Sequence, residues 1–201
     1  MAGTSNRRSA PPRSQPMIPP LPGWLALTGT PGTGKTSART RLPPRLGARE
    51  VGDLAAELGS GRRSRSGAVV VDLPALRRAF RSYARAHPRG ILVGHLAHLL
   101  PVSYSIVLRC HPRELSRRLR KAKRTANDRA ANVLSEILDV VLVEALGTGA
   151  PVRELDVSRL SPDQVARVVT RWARRRPAAR YGRINWMADP RVTEEFLRGA
   201  L

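Results

Sequence analysis

Eight consecutive residues, Gly29-Thr30-Pro31-Gly32-Thr33-Gly34-Lys35-Thr36, constrain this chain more than any others. They fill every fixed position of the G-x-x-x-x-G-K-[ST] phosphate-binding pattern. The apolar run Trp24-Leu25-Ala26-Leu27 predicts a buried strand entering the loop, and the residues from Lys35 onward predict a helix leaving it. A loop of that kind presents backbone N–H groups and a helix N-terminus to a polyphosphate. Gly29, Gly32 and Gly34 let the backbone come close, with Thr33 between them. Lys35 reaches the terminal phosphates, and the Thr36 hydroxyl ligates Mg²⁺.

Downstream, Ala48–Val51 predicts a short strand, followed by a flexible basic loop from Gly59 to Gly67. Val69-Val70-Val71-Asp72 reads as an extended run and Pro74–Ala86 as a helix, with Pro at its first turn. Ile91-Leu92-Val93 and Tyr104–Arg109 lack alternation, as strands buried on both faces do. Helices are expected at Pro112–Lys121, with Arg117, Arg118 and Arg120 exposed, and at about Asn127–Leu146. Val152–Val157 predicts the last strand. Ser161-Pro162-Asp163-Gln164 reads as a capping box opening a helix to about Arg176. Alternating strands and helices imply an α/β, doubly wound sheet.

The charge bears on partners. Lys plus Arg number 36 against 15 acids, a net +21, and lysine stands only at positions 35, 121 and 123. Such an excess attracts polyanions, nucleic acid above all. A GC-rich genome explains arginine over lysine but not the shortage of acids. Aromatic residues make up 4% of the chain, which predicts a core of Leu, Val, Ile and Ala. The single Cys110 rules out a disulfide framework and reads as a small buried hydrophobe. No segment approaches the ~18 apolar residues of a membrane span, and no apolar signal core opens the chain, so a cytoplasmic protein is expected. Residues 1–21 read as a disordered basic tail and 22–177 as the folded domain. The extension at 178–201 either packs back through Ile184 and Trp186 or stays exposed.

Three further segments carry a family resemblance: Val51-Gly52-Asp53-Leu54, Gly94-His95-Leu96-Ala97-His98-Leu99-Leu100-Pro101, and Arg118–Glu144 with Asn132, Glu136, Asp139, Val140 and Glu144 at matching spacing. From Trp24 to Arg174 the chain resembles the archaeal and eukaryotic adenylate kinase isoenzyme six family. The resemblance implies a P-loop, nucleoside-monophosphate-kinase-like α/β/α fold with a parallel five-stranded sheet of order 2-3-1-4-5. It implies phosphoryl transfer from ATP to AMP, ATPase activity, and a part in small-ribosomal-subunit maturation with contacts to protein uS11 and rRNA. It gives the ATP-phosphate role to Gly32, Gly34, Lys35, Thr36 and Ser37, and a catalytic role beside Lys35 to His95. Gly52 and Asp53 fall in a monophosphate region at about 51–75, and Ala122, Lys123 and Arg124 in a lid at about 121–131. His95 and His98 also suit structural packing in a turn. An H-x-x-H zinc site lacks a third ligand nearby in sequence.

The chain departs from the family pattern twice. Val93 stands where members carry an acid that serves Mg²⁺, leaving Thr36, the phosphates and Asp72 or Asp53 for that task. Ala122-Lys123-Arg124 replaces an Arg-Gly-Tyr run, so the lid arginine is lost. Both changes predict slow ATP hydrolysis over efficient transfer. They keep open a nucleotide switch for ribosome assembly, without kinase activity. A P-loop kinase acting on another acceptor fits the Gly94–Pro101 segment less well.

Overall fold

A computed structural model describes residues 21–64 and 69–199. The expected tail, up to residue 20, and residues 65–67 of the basic loop lie outside the described residues. The elements are β1 (Leu21–Gly29), α1 (Lys35–Arg39), β2 (Ala48–Glu50), α2 (Val51–Glu57), β3 (Gly61–Arg63), β4 (Val69–Val71), α3 (Leu73–Ala86) and β5 (Gly90–Val93). There follow β6 (Val102–Arg109), α4 (Pro112–Lys121), α5 (Ala126–Ile137), α6 (Val140–Gly147), β7 (Val152–Asp156), α7 (Pro162–Arg174) and α8 (Pro190–Leu197).

Five strands form one sheet in the order β2-β5-β1-β6-β7, which is 2-3-1-4-5 counted in chain order, and all its pairings are parallel. Along β1 the side chains alternate between two buried layers. Leu25 and Leu27 join the core under α1, α4, α5 and α7, while Trp24 and Ala26 join the core under α2 and α3. A strand covered on both faces has no polar side, so the apolar runs carry no period-2 signal. Trp24 and Phe80 anchor the second layer edge to face at 5.0 Å, so this core is not purely aliphatic. The P-loop leaves the carboxyl end of the central strand, where open α/β sheets place ligands.

The structure departs from the sequence expectation at several points: the expected strand Ala48–Val51 ends at Glu50, and Val51 opens α2. The basic loop contains β3, which pairs antiparallel with β4 as a hairpin outside the main sheet. The helix expected from 127 to 146 is two, α5 and α6, broken at Asp139. Asp139 adopts φ 56 and its carboxylate bonds Arg109, so a long-range partner holds the break. Arg118 is half-buried rather than exposed, with a side chain 24% accessible. The capping box at Ser161 forms as expected, with Gln164 N donating to Ser161 Oγ and Ser161 N to Gln164 Oε1.

The C-terminal extension packs back on the domain. Arg180 N donates to Val152 O at 3.0 Å along the free edge of β7, and Val192 is fully buried. No helix among the described residues is long and apolar enough to cross a membrane.

Helix α4 ends in a left-handed residue, Lys123 (φ 55), with Lys123 N bonded to Arg120 O and Arg124 N to Leu119 O. This paired closure favours glycine at that position. Lys123→Gly is therefore expected to stabilise the protein by about 1 kcal/mol, read as a higher urea midpoint at unchanged m-value.

Candidate nucleotide site

The P-loop curls against α4. Gly32 adopts φ 95, which side chains rarely take, and a Cβ there would also crowd Leu115 Cδ1 and Leu119 Cδ2 at 2.8 Å. Gly34 caps α1 in a left-handed conformation (φ 92) that side chains rarely adopt. The first-turn amides of α1 lie beyond the reach of intrahelical acceptors and face the loop. Lys35 folds back into this curl. Its Nζ donates to Gly29 O (2.7 Å), Thr30 O (2.9 Å) and, at 3.5 Å, Thr33 Oγ1. Burial lowers its pKa from 10.5 to about 8, against the opposing pull of Glu50 and Glu136.

The loop opens onto a cleft of about 940 Å³. Thr36 and Ser37 line its floor, Gly94 and His95 one wall, and the cationic face of α4 the other. Arg118 crosses toward the loop, and a Cβ added at Gly34 would lie 4.0 Å from its guanidinium. Glu114 and the carbonyls of Val157 and Ser158 hold it there. Hydrogen bonds from Arg117 and Arg118 keep the Glu114 carboxyl down at about 2, so it stays an anchoring carboxylate. Leu119, Leu160 and Val165 add an apolar side, suited to the face of a base.

The expected site residues separate on this map. Gly32, Thr33, Gly34, Lys35, Thr36 and Ser37 come together, and His95, Ala122 and Arg124 line the same cleft. Gly29 serves it through its carbonyl on Lys35. Lys123 is committed to the helix end and is not among the lining residues. Gly52 and Asp53 sit in the first turn of α2, also outside the cleft lining. Asp72 is not brought to Thr36. It is exposed, and its Oδ1 accepts from Ala75 N at 2.9 Å as the N-cap of α3.

The two histidines have different surroundings. His95 is exposed on the cleft wall, and partial burial of its ring and then Lys35 lower its pKa. His98 is fully buried, and burial, His95 and Lys35 bring its pKa to about 4. The neutral ring can accept from Thr28 Oγ1 through Nδ1 (2.9 Å) and donate to Glu144 through Nε2 (3.3 Å). His98 therefore packs β1 against α6. Among the described residues no cluster of three or more His, Cys, Asp or Glu could hold a metal ion by itself.

Two acids emerge that the sequence reading did not assign to the site. Glu50 lines the cleft at the end of β2, and its register partner on β5 is Val93, the position that lacks the expected acid. Its carboxylate also bonds Arg39 Nε at 3.2 Å. Nothing in the local sequence marks Glu50, because the pairing joins strands about 40 residues apart. Glu136 is the second, 2% exposed behind the loop. Its Oε2 accepts from Thr30 Oγ1 (2.5 Å), and its Oε1 accepts from Arg109 Nε (2.9 Å), Cys110 N (3.0 Å) and Trp186 Nε1 (3.1 Å). Arg109 also bonds Asp139 and Glu154; against burial, Glu136 first and then these two acids raise its pKa. A chain of hydrogen bonds thus joins the P-loop to the C-terminal extension. Cys110, buried beside it, has its thiol pushed up to about 12 by desolvation, so it is inert at neutral pH.

Residues 25–139 match the family model described as an AAA domain. Curated relatives cover nearly the whole fold. A protein of Archaeoglobus fulgidus named "Putative adenylate kinase" is 38% identical over 87% of this chain and 98% of its own length. One of the same name from Thermococcus onnurineus is 34% identical over 86% of this chain and 96% of its own. Another from Halobacterium salinarum is 39% identical over 72% and 86%.

Proposed function

The chain belongs to the family of archaeal proteins named putative adenylate kinases, and from that premise we propose that it transfers the terminal phosphoryl group of ATP to AMP, with some ATP hydrolysis alongside. The observation that carries this reading is the caged Lys35 at the mouth of a cleft walled by α4 cations. An arriving triphosphate offers Lys35 charged oxygens in place of neutral carbonyls, a stronger partner for its ammonium. Lys35 then spans the β- and γ-phosphates, while Arg118 and Arg124 offset charge that builds up during in-line transfer. Arg118 takes up the work of the lid arginine that Ala122 lacks, one helical turn earlier on α4. His95, neutral at physiological pH, orients the acceptor or a water.

Mg²⁺ is a hard cation that takes oxygen ligands and keeps several waters. The Thr36 hydroxyl and the Glu50 carboxylate, both on the cleft lining, fit that donor type. They would hold the ion, directly or through its waters, and Glu50 replaces the acid missing at Val93. The ion supplies charge neutralisation on the phosphates. The acceptor enters from the α2 side, past Glu50, with Gly52 and Asp53 behind it.

A second reading is a nucleotide switch in small-ribosomal-subunit maturation, in contact with uS11 and rRNA. The changes at Val93 and Ala122 and the net charge of +21 favour it. Steady-state ADP formation separates the two. Transfer predicts that AMP raises the ADP rate about tenfold or more above the AMP-free background, with two ADP formed per ATP consumed. A rate indifferent to AMP would leave the switch.

A further inference from the structure

We propose that a second site, a groove between α7 and the end of the P-loop helix, binds the phosphodiester backbone of a polynucleotide. The groove encloses about 630 Å³ and is lined by Arg41, Arg167, Arg171, Arg174 and Arg175, with Pro43, Ala166 and Thr170 among its uncharged walls. Arg167, Arg171 and Arg174 follow one another at i, i+4 and i+7, so they form a stripe on one face of α7 about 10 Å long. The opposite face, through Val165 and Val169, is buried in the core and fixes the stripe's orientation. Arg41 closes one end, held by Asp163 Oδ2 (3.3 Å) and Ser37 O (2.8 Å).

Among the described residues Asp163 is the only acid lining the groove, and Arg41 already engages it. Among the described residues no acid pairs with Arg167, Arg171, Arg174 or Arg175, and all four are exposed. Like charges this close repel one another, and an anion relieves that repulsion. Guanidinium groups fork phosphate oxygens in two parallel hydrogen bonds. Among the described residues no aromatic side chain lines the groove, so the groove offers the backbone its contacts rather than a stacking face for a base. The surrounding charge extends the attraction to any polyanion that runs past the groove's ends. The site is separate from the nucleotide cleft, although α7 touches both: Pro162 and Val165 line the cleft, and the arginine stripe faces away from it.

The proposal does not rest on phosphoryl transfer, and turnover is followed in parallel so that the two readings fail separately. The test uses the full chain and fluorescence anisotropy with 20-nucleotide labelled oligo-U RNA and oligo-dT, titrated across a range of salt. Three proteins are compared: wild type, Arg167→Ala/Arg171→Ala/Arg174→Ala, and a control that removes the same charge from exposed positions on and beyond α3, Arg78→Ala/Arg85→Ala/Arg89→Ala. Loss of three phosphate contacts to a single strand lowers the slope of log K against log salt by about 2. The groove variant is expected to show that change with at least a tenfold weaker affinity near physiological salt, while the control keeps the wild-type slope and both keep turnover. Equal losses in both variants, or none in either, would overturn the proposal. So would displacement of the RNA by poly-glutamate of equal charge at the same concentration as unlabelled oligonucleotide. Stronger binding of RNA than DNA assigns the source as RNA, and equal binding assigns the backbone common to both. As a check free of mutation, bound oligonucleotide is expected to protect Arg167, Arg171 and Arg174 of the wild type from phenylglyoxal. Unprotected arginines there would count against the site.

Discussion

Lys35→Met is expected to lower turnover by about 10³-fold or more, because one preorganised charge on the transferring group supplies that much. The loss falls on the rate rather than on folding. Lys35 is 8% exposed and carries its ammonium at a desolvation cost that methionine does not bear. Its folded pKa of about 8 lies below the unfolded value of 10.5, so the unfolded chain binds that proton more tightly. The wild type therefore gains stability from this group as pH rises from about 8 toward 10.5. The variant loses that dependence and melts at or above the wild-type temperature when no ligand is present. Steady-state assays beside calorimetric melts check both halves. A variant turning over at near-normal rates would remove Lys35 from the mechanism.

The same lysine carries a binding signature. Phosphates raise its pKa again, so ATP binding near pH 8 takes up about half a proton. Titration calorimetry in buffers of different ionisation enthalpy reads that uptake directly. Affinity is greatest below pH 8 and weakens above it, by up to about tenfold per pH unit. Lys35→Met abolishes the part of the uptake that belongs to this site.

Arg109→Leu is expected to destabilise the fold by about 3–5 kcal/mol, the range for removing one partner of a buried ion pair. Arg109 is 2% exposed, and it neutralises Glu136 and Glu154, whose side chains are 2% and 4% exposed. Leucine leaves both carboxylates facing each other in the interior with no cation between them. The double variant Arg109→Leu/Glu136→Gln removes one of those charges and recovers part of the loss, a coupling that a mutant cycle in urea measures. If the single and double variants were additive, the two side chains would not be acting as a pair. The site feels this network too, since Glu136 receives the Thr30 hydroxyl and the Trp186 indole at once. Truncating the chain before Trp186 leaves Glu136 short of a donor behind the P-loop. The extension is therefore part of the folded unit and supports the nucleotide site from behind.

Much of the architecture was legible because its causes are local. The P-loop is eight contiguous residues whose glycines, lysine and threonine each answer a local demand. The strands showed themselves by burial on both faces, and the last long helix by a capping box closed within four residues. The family, and with it the strand order 2-3-1-4-5, was carried by short motifs in the right succession. What escaped depends on partners distant in sequence. The break at Asp139 is held by Arg109, thirty positions earlier, and helical periodicity runs straight through it. Asp72 looked like a strand-ending metal acid, yet β4 belongs to a side hairpin and its carboxylate caps α3.

The amino-acid sequence by itself determined that a triphosphate would meet a glycine-rich loop, a lysine and a hydroxyl at the end of a buried strand, because those contacts are made by neighbours along the chain. Only the tertiary structure decided which groups stand across from that loop. Sheet register set Glu50 beside Val93, the lie of α4 brought Arg118 over Gly34, and the folding-back of the C-terminus put Trp186 on Glu136. Each of those pairs joins different elements, and such distances are fixed by packing and strand pairing, which no stretch of one element encodes.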